Sequence, residues 1–255
     1  MNFKILSLFP EVIAPYLSSS ILGRAQAAGK IRVDYYNIRD YSKDKHRRVD
    51  DTPYGGGYGM VMAPQPVLDC HKAASAGLAG RTCTVYLSPA GRKFNHDMAL
   101  WFRQSFDNLI LLCGHYEGID QRIIDRVVDQ EVSVGDYVLT GGELPCAILV
   151  DAISRLIDGV LPDGECYTNE SIASGLLEYP QYTKPATYDG AAVPEVLRAG
   201  NHADITRWQR EQALAKTWRV RPELLNTALL DKDDLLFLEQ LRLEALEAPE
   251  KKVTT

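Results

Sequence analysis

The chain has 255 residues, 45% hydrophobic and 24% charged, and a formal net charge of −6. These figures describe one or two ordinary globular domains with enough chain to bury a core, and they exclude a disordered polymer. No apolar run approaches the ~18 residues needed to span a bilayer, which excludes insertion as a helix.

Phe3 to Leu8 reads as a first strand. Pro10 then opens a helix over Glu11 to Ala27, and Ile31 to Tyr36 reads as a second strand. Pro66 opens a helix over Val67 to Ala76, Thr82 to Leu87 is a third strand, Asn95 caps a helix over His96 to Phe106, and Leu109 to Cys113 is a fourth strand. A further helix runs from about Glu143 to Leu156. Strands alternating with helices predict an α/β domain with a mostly parallel sheet covered on both faces. Asp158 to Asn169, rich in Gly, Pro, Asp and Thr, has no period and reads as a linker or mobile loop. Beyond it the pattern is purely helical: Asn201 caps a helix to about Val220, Pro222 opens a short one and Asp231 starts a last one. The expected organisation is an α/β domain over 1–157, a linker over 158–170 and a small all-α domain over 171–255.

The stretch Phe3 to Phe9 is interrupted by Lys4 and Ser7 and stops at Pro10, too short for a signal-peptide core, so a cytoplasmic protein is expected. Cysteines at 70, 83, 113, 146 and 166 fit neither a disulfide framework nor a CxxC knuckle and read as reduced, mostly buried thiols. Charge is uneven. Glu223 to Glu250 holds eight acidic and two basic residues, whereas Arg39 to Arg48 holds five basic against two acidic and Arg198 to Arg221 six against two. Local basic surfaces on an acidic protein can still bind nucleic acid, because counterion release depends on the phosphates contacted. A solvated charged face explains either cluster taken alone.

Three Gly-containing turns follow strands: Ser88-Pro89-Ala90-Gly91, Gly114-His115-Tyr116-Glu117-Gly118, and Val134-Gly135-Asp136-Tyr137 running on to Gly141-Gly142-Glu143-Leu144-Pro145. In a parallel sheet the carboxyl ends of strands share one edge, so the turns can converge on one ligand; glycines that merely permit tight turns are the plain alternative. A fourth stretch, Asp50 to Met60, packs glycines with Tyr54 and Tyr58 directly after the basic cluster, which suits stacking on a base and holding its phosphates. HExxH, GxSxG, Walker and closely spaced His/Cys patterns are absent, and no metal site is assigned.

Leu6-Ser7-Leu8-Phe9-Pro10, Arg48-Val49-Asp50-Asp51, Pro53-Tyr54-Gly55-Gly56-Gly57, Leu87-Ser88-Pro89, Gly114 to Asp120, Ser133 to Leu139, Gly141 to Pro145 and Gly200-Asn201-His202 stand in one order along nearly the whole chain. In this combination the sequence resembles the bacterial tRNA (guanine-N1)-methyltransferases of the TrmD family, in the SPOUT superfamily. The resemblance implies an N-terminal parallel sheet threaded into a deep trefoil knot, an exception to the general absence of knots. It implies S-adenosylmethionine as methyl donor, with Mg2+ as an accessory ion in some members. The cofactor would be held by Leu87, Ser88, Pro89, Gly114, Tyr116, Glu117, Val134, Gly135, Asp136, Tyr137, Val138, Leu139, Gly141, Gly142 and Pro145. The glycines would admit close backbone approach to the cofactor. It further implies an obligate homodimer whose active sites draw on both chains, and a tRNA substrate with guanosine at position 37, immediately 3′ of the anticodon in a GpG step.

Attack by guanine N1 requires removal of its proton and stabilisation of charge on O6, for which a carboxylate and an arginine suffice. On the family pattern these are Glu170 and Arg155. On the residues alone, Arg155 could be a surface ion-pair residue and Glu170 a helix-capping partner. For tRNA, Arg47, Arg48, Arg207 and Arg210 are expected on phosphates, Asp50 on the target base, and Tyr54 within the same surface. Two positions depart from the family. Glu170 stands where Asp is usual, with Asp163 and Glu165 as reserve candidates, and His115 stands where Arg is common. The second exchange replaces a fixed charge by an imidazole, so weakened or pH-dependent cofactor binding is expected. Two rival readings stay open: methylation of a ribose 2′-hydroxyl, and an RNA-binding or nucleotide-sensing dimer without turnover.

Overall fold

In the computed structural model the stretch after Met1 forms β1 (Asn2–Ser7), buried at every position but the first, Lys4 and Ser7 included. Burial at successive positions marks a strand covered on both faces. The described residues are 1–161, 171–172 and 175–247, and the chain divides into two units, Met1–Gly164 and Glu165–Thr255.

In the first unit β1 is followed by α1 (Pro10–Leu17) and α2 (Ser20–Ala27), then β2 (Arg32–Asn37). The single helix expected over Glu11 to Ala27 is therefore broken. Pro15 has no N–H to give, the Ser18 and Ser19 hydroxyls turn back to the Pro15 carbonyl, and Ser20 adopts a left-handed φ of 50°. Short β3 (Asp50–Asp51) and β4 (Val61–Met62) pair antiparallel, and α3 (Pro64–Ser75) begins two residues before the expected opener Pro66. Then come β5 (Thr82–Lys93), α4 (His96–Ser105) capped by the Asn95 side chain, β6 (Asn108–Cys113), α5 (Gln121–Val127), β7 (Gln130–Ser133) and α6 (Glu143–Ser154).

The five-stranded sheet is ordered β2-β1-β6-β5-β7, and every pairing in it is parallel. One core cluster packs α3 and α5 onto it through Leu6, Val67, Cys70, Ile110, Leu112 and Ile123. Cys70, Cys83, Cys113 and Cys146 are free and buried, and burial pushes the Cys70 and Cys83 thiols up to about 12. Cys166 lies outside the described residues.

In the second unit the expected purely helical pattern gains a hairpin, β8 (Thr187–Tyr188) with β9 (Ala191–Ala192). Its turn is Asp189-Gly190, both at positive φ, the dipeptide that a two-residue hairpin favours. α7 (His202–Val220) starts where the Asn201 side chain accepts the Ala203 N–H at 3.1 Å, the short helix expected at Pro222 is a 3-10 helix (Pro222–Asn226), and α8 (Lys232–Glu247) follows. Leu176, Ala213 and Leu214 form the centre of this unit's core. At the start of α8, Asp231 and Asp234 accept each other's backbone N–H at 3.1 and 2.9 Å, a reciprocal cap.

Asp234 is buried, and Arg210 of α7 donates to it at 2.7 to 3.3 Å. Burial pushes the Asp234 carboxyl up, but the guanidinium and the Asp231 N–H outweigh it and hold the group below the usual carboxylate range. A group depressed in the folded state adds stability above its unfolded pKa and loses it as the pH falls through the folded one. Asp234→Asn is therefore expected to lower stability at pH 7 by about 1 to 3 kcal/mol. In urea denaturation the gap from wild type should shrink as the pH drops below about 4.

Candidate active site

β5, β6 and β7 end side by side, and the loops after them enclose a cavity of about 330 Å³, at the low end of small-molecule sites. Of the residues expected to hold a ligand, Leu87, Ser88, Pro89, Gly114, Tyr116, Glu117, Val134, Gly135, Tyr137, Val138, Leu139, Gly141, Gly142 and Pro145 line it. Asp136 is not part of that lining; its carboxylate pairs with Lys93. Ala90, His115 and Gly118, which the sequence placed in these loops, line it too, and so do Tyr86, Val132, Ser133 and Thr140, which it did not single out.

The first wall is an excursion of β5. Leu87 and Arg92 both stand opposite Val132 of β7, so Ser88 to Gly91 loop out between two pairings with one residue. Gly91 makes this possible: a Cβ there would lie 2.4 Å from the main chain of Glu131 and Val132. Gly142 is as constrained, since its Cβ would fall 2.6 Å from the Cys113 Cα, while its N–H donates to the Gly114 carbonyl at 2.9 Å. A Cβ on Gly114 would meet the Tyr86 ring at 2.7 Å. At these positions the glycines admit other parts of the protein, a constraint separate from any ligand's approach.

Behind the cavity lies a polar chain of buried Ser7 and Glu143 and half-buried His115. Glu143, at the first turn of α6, accepts from the Ser7 hydroxyl at 2.6 Å and stands 2.7 and 2.8 Å from His115 Nε2. Burial pushes the Glu143 carboxyl up, but hydrogen bonds from His115 and Ser7 hold it below the usual range. A carboxylate only accepts, so the His115 Nε2 carries a proton and donates. The Phe9 ring meets the imidazole edge-on at 5.1 Å, and Arg39 lies 5.8 Å over the Phe9 ring.

The tyrosine-rich loop is tied to the cavity. Glu117 N–H donates to Met60, Met62 N–H to Gly118 and Asp120 N–H to Met62, at 3.0 to 3.1 Å. A Cβ on Gly59 would collide with the Glu117 side chain at 2.4 Å. Tyr54 and Tyr58 are fully exposed. Asp50 is half-buried opposite Met62, and the exposed Arg47 and Arg48 lie near Asp40 and Asp44 at 3.2 and 3.9 Å. Backbone N–H groups of His46 and Arg48 hold the Asp44 carboxyl below its ordinary value.

Arg155 is the half-buried C-cap of α6, its N–H on the Asp151 carbonyl at 3.1 Å. Glu170 and the reserve candidates Asp163 and Glu165 lie outside the described residues. In the second unit the two arginines differ. Arg207 is exposed with Asp204 at 3.1 Å, whereas Arg210 also donates to the Leu229 carbonyl at 2.8 Å besides holding Asp234. Among the described residues no group of three or more His, Cys, Asp or Glu could hold a metal ion, and no helix is long and apolar enough to cross a membrane.

A family model described as tRNA (Guanine-1)-methyltransferase TrmD matches residues 1–227. A tRNA (guanine-N(1)-)-methyltransferase of Ruminiclostridium cellulolyticum is 53% identical over 226 residues, 89% of this chain and 97% of that protein. Those of Alkaliphilus oremlandii and Moorella thermoacetica are 50% and 48% identical, covering 95% and 94% of this chain and 99% and 96% of theirs.

Gly91→Ala forces main chain apart where β5 leaves β7, and is expected to cost about 2 to 3 kcal/mol. Urea denaturation measures that loss, and the variant's midpoint should fall well below wild type.

Proposed function

Because the chain belongs to the TrmD family, methyltransferases that act on N1 of a tRNA guanine with S-adenosylmethionine, we propose that its target is guanosine 37, immediately 3′ of the anticodon. The observation that carries this reading is the convergence of three glycine-bearing loops on one cavity at the carboxyl edge of a parallel sheet. The lining suits S-adenosylmethionine. Leu87, Val134, Leu139 and Pro145 offer apolar surface to a purine, the loop main chain offers N–H and carbonyl groups, and Glu117 is an acidic partner for a cationic ligand. When bound, the cofactor supplies a methyl group already activated on a sulfonium.

The chain's own task is then to ready the nucleophile. Glu170 takes the proton from guanine N1, and Arg155 faces the negative charge that builds on O6. Both roles rest on the family pattern. The target base is flipped out of its stack, with Asp50 hydrogen-bonding it and Tyr54 beside it on the glycine-rich loop. Arg47, Arg48 and Arg207 contact phosphates. Arg210 joins them through the part of its guanidinium not engaged by Asp234.

The wider organisation follows the same reading. Residues 1–157 form a knotted cofactor domain of SPOUT type, and the second unit, with α7 and α8, is a tRNA-binding domain. The enzyme is a cytoplasmic homodimer, with Mg2+ as an accessory ion. Exposed apolar residues Val12 and Tyr16 on α1 and Leu144 and Ile148 on the adjacent α6 support the homodimer, since a shared apolar strip suits burial against a second copy.

Labelled S-adenosylmethionine with a GG-bearing tRNA transcript should yield N1-methylguanosine, and a transcript lacking guanosine 37 should take up no label. Label on a ribose 2′-oxygen or at another site would overturn the assignment. Glu170→Gln is expected to lower single-turnover transfer by about 100-fold or more while cofactor still binds. Arg207→Ala should weaken all tRNAs alike and reduce the slope of log affinity against log salt by about one.

A further inference from the structure

The hydrogen-bonded chain Ser7–Glu143–His115 has no part in the chemistry just described, yet it crosses the junction where the cavity is built. Ser7 ends β1, His115 belongs to the loop after β6, and Glu143 opens α6 directly after the third loop. Three separate stretches of chain therefore meet at one carboxylate. Ser7 Oγ also accepts the Phe9 N–H at 2.8 Å, so its hydroxyl is oriented to give its proton to Glu143.

A buried negative charge is tolerated only with hydrogen-bonding partners, and here they come from residues 136 and 28 positions away in sequence. The pair also encloses a loop. A Cβ on Gly141 would lie 2.4 Å from His115 Cε1 and 2.6 Å from Glu143 Oε2, so the third loop runs directly against the pair. Beside it, the Gly142 N–H holds the Gly114 carbonyl. His115 also lines the cavity. The charged and titratable groups around the imidazole are Glu143 from α6, its neighbours Tyr116 and Glu117, and, beyond the Phe9 ring, Arg39.

We propose that His115 and Glu143 are positioning residues for the methyl-transfer reaction: their bond, anchored by Ser7, fixes the separation of the second and third loops and thereby the affinity for S-adenosylmethionine. The proposal rests on the cavity being the cofactor site. The pair touches no reacting atom; it acts through the loops that do the binding. Arginine at position 115 could also donate to the carboxylate, with a planar fork, and so preserve the function with a different side chain.

The test is calorimetric titration of S-adenosylmethionine into the full chain, with thermal melting of each variant as a check of folding. His115→Ala and Glu143→Gln are each expected to raise the Kd about tenfold, and the double variant no further than the worse single one, because the two act as a unit. His115→Arg should return the Kd to within about threefold of wild type. Ser7→Ala, a small change away from the cavity lining, should raise the Kd by a few fold with the protein still folded. Folded variants that bind as wild type does, losses that add in the double variant, or failure of Arg to rescue would overturn the proposal. Wild type that binds no S-adenosylmethionine would instead overturn the reading of the cavity.

Discussion

Main chain touching main chain is the constraint on which this site depends. At Gly91 and Gly142 a single added carbon would sit 2.4 to 2.6 Å from backbone atoms of another segment. No rotamer change relieves such an overlap, because the obstacle is not a side chain. Once those two crossings are granted, the rest follows: β5 can resume its pairing with β7 after the excursion, and the second and third loops can share a hydrogen bond. The cavity is the space left between segments that are otherwise in contact.

Electrostatics divides the site into a dry side and a wet side. On the dry side a carboxylate is kept charged in the interior by a hydroxyl and an imidazole. On the wet side the basic residues 39–48 are largely exposed, and their ion pairs with Asp40 and Asp44 are of the kind that contributes little to stability. The charges that shape the fold and those available to a polyanion are thus different groups. Arg210 belongs mainly to the first kind and Arg207 to the second.

Legibility in the sequence tracks how local the physical cause is. β6 could be read because a strand covered on both faces is a near-continuous apolar run, β1 because Phe3, Ile5 and Leu6 stand out around Lys4, and Asn95 and Asn201 because a cap acts within three residues. β7 could not: Gln130 and Glu131 at an edge give no apolar signal. The break between α1 and α2 turns on where serine hydroxyls point, which composition does not encode. Glycine density revealed the three cavity loops, but which residue of a loop faces inward was not visible: Asp136 was expected with its neighbours, yet its carboxylate pairs with Lys93 outside the lining. His115 drew notice only as a departure from the family pattern, and its partner lies 28 positions on, at no period a helix or strand would supply. Glu170 and Arg155 owe their assignment to resemblance alone.

The rungs between Met60 or Met62 and residues 117–120 mean that the arc bearing Tyr54 and Tyr58 hangs from a fixed stem at its C-terminal end. Asp50 and Asp51, paired with Met62 and Val61, clamp the other end. Between these two clamps lie the eight residues Thr52 to Gly59, so any ordering of the arc on binding, about 1 to 2 kcal/mol for each residue fixed, would be confined to them.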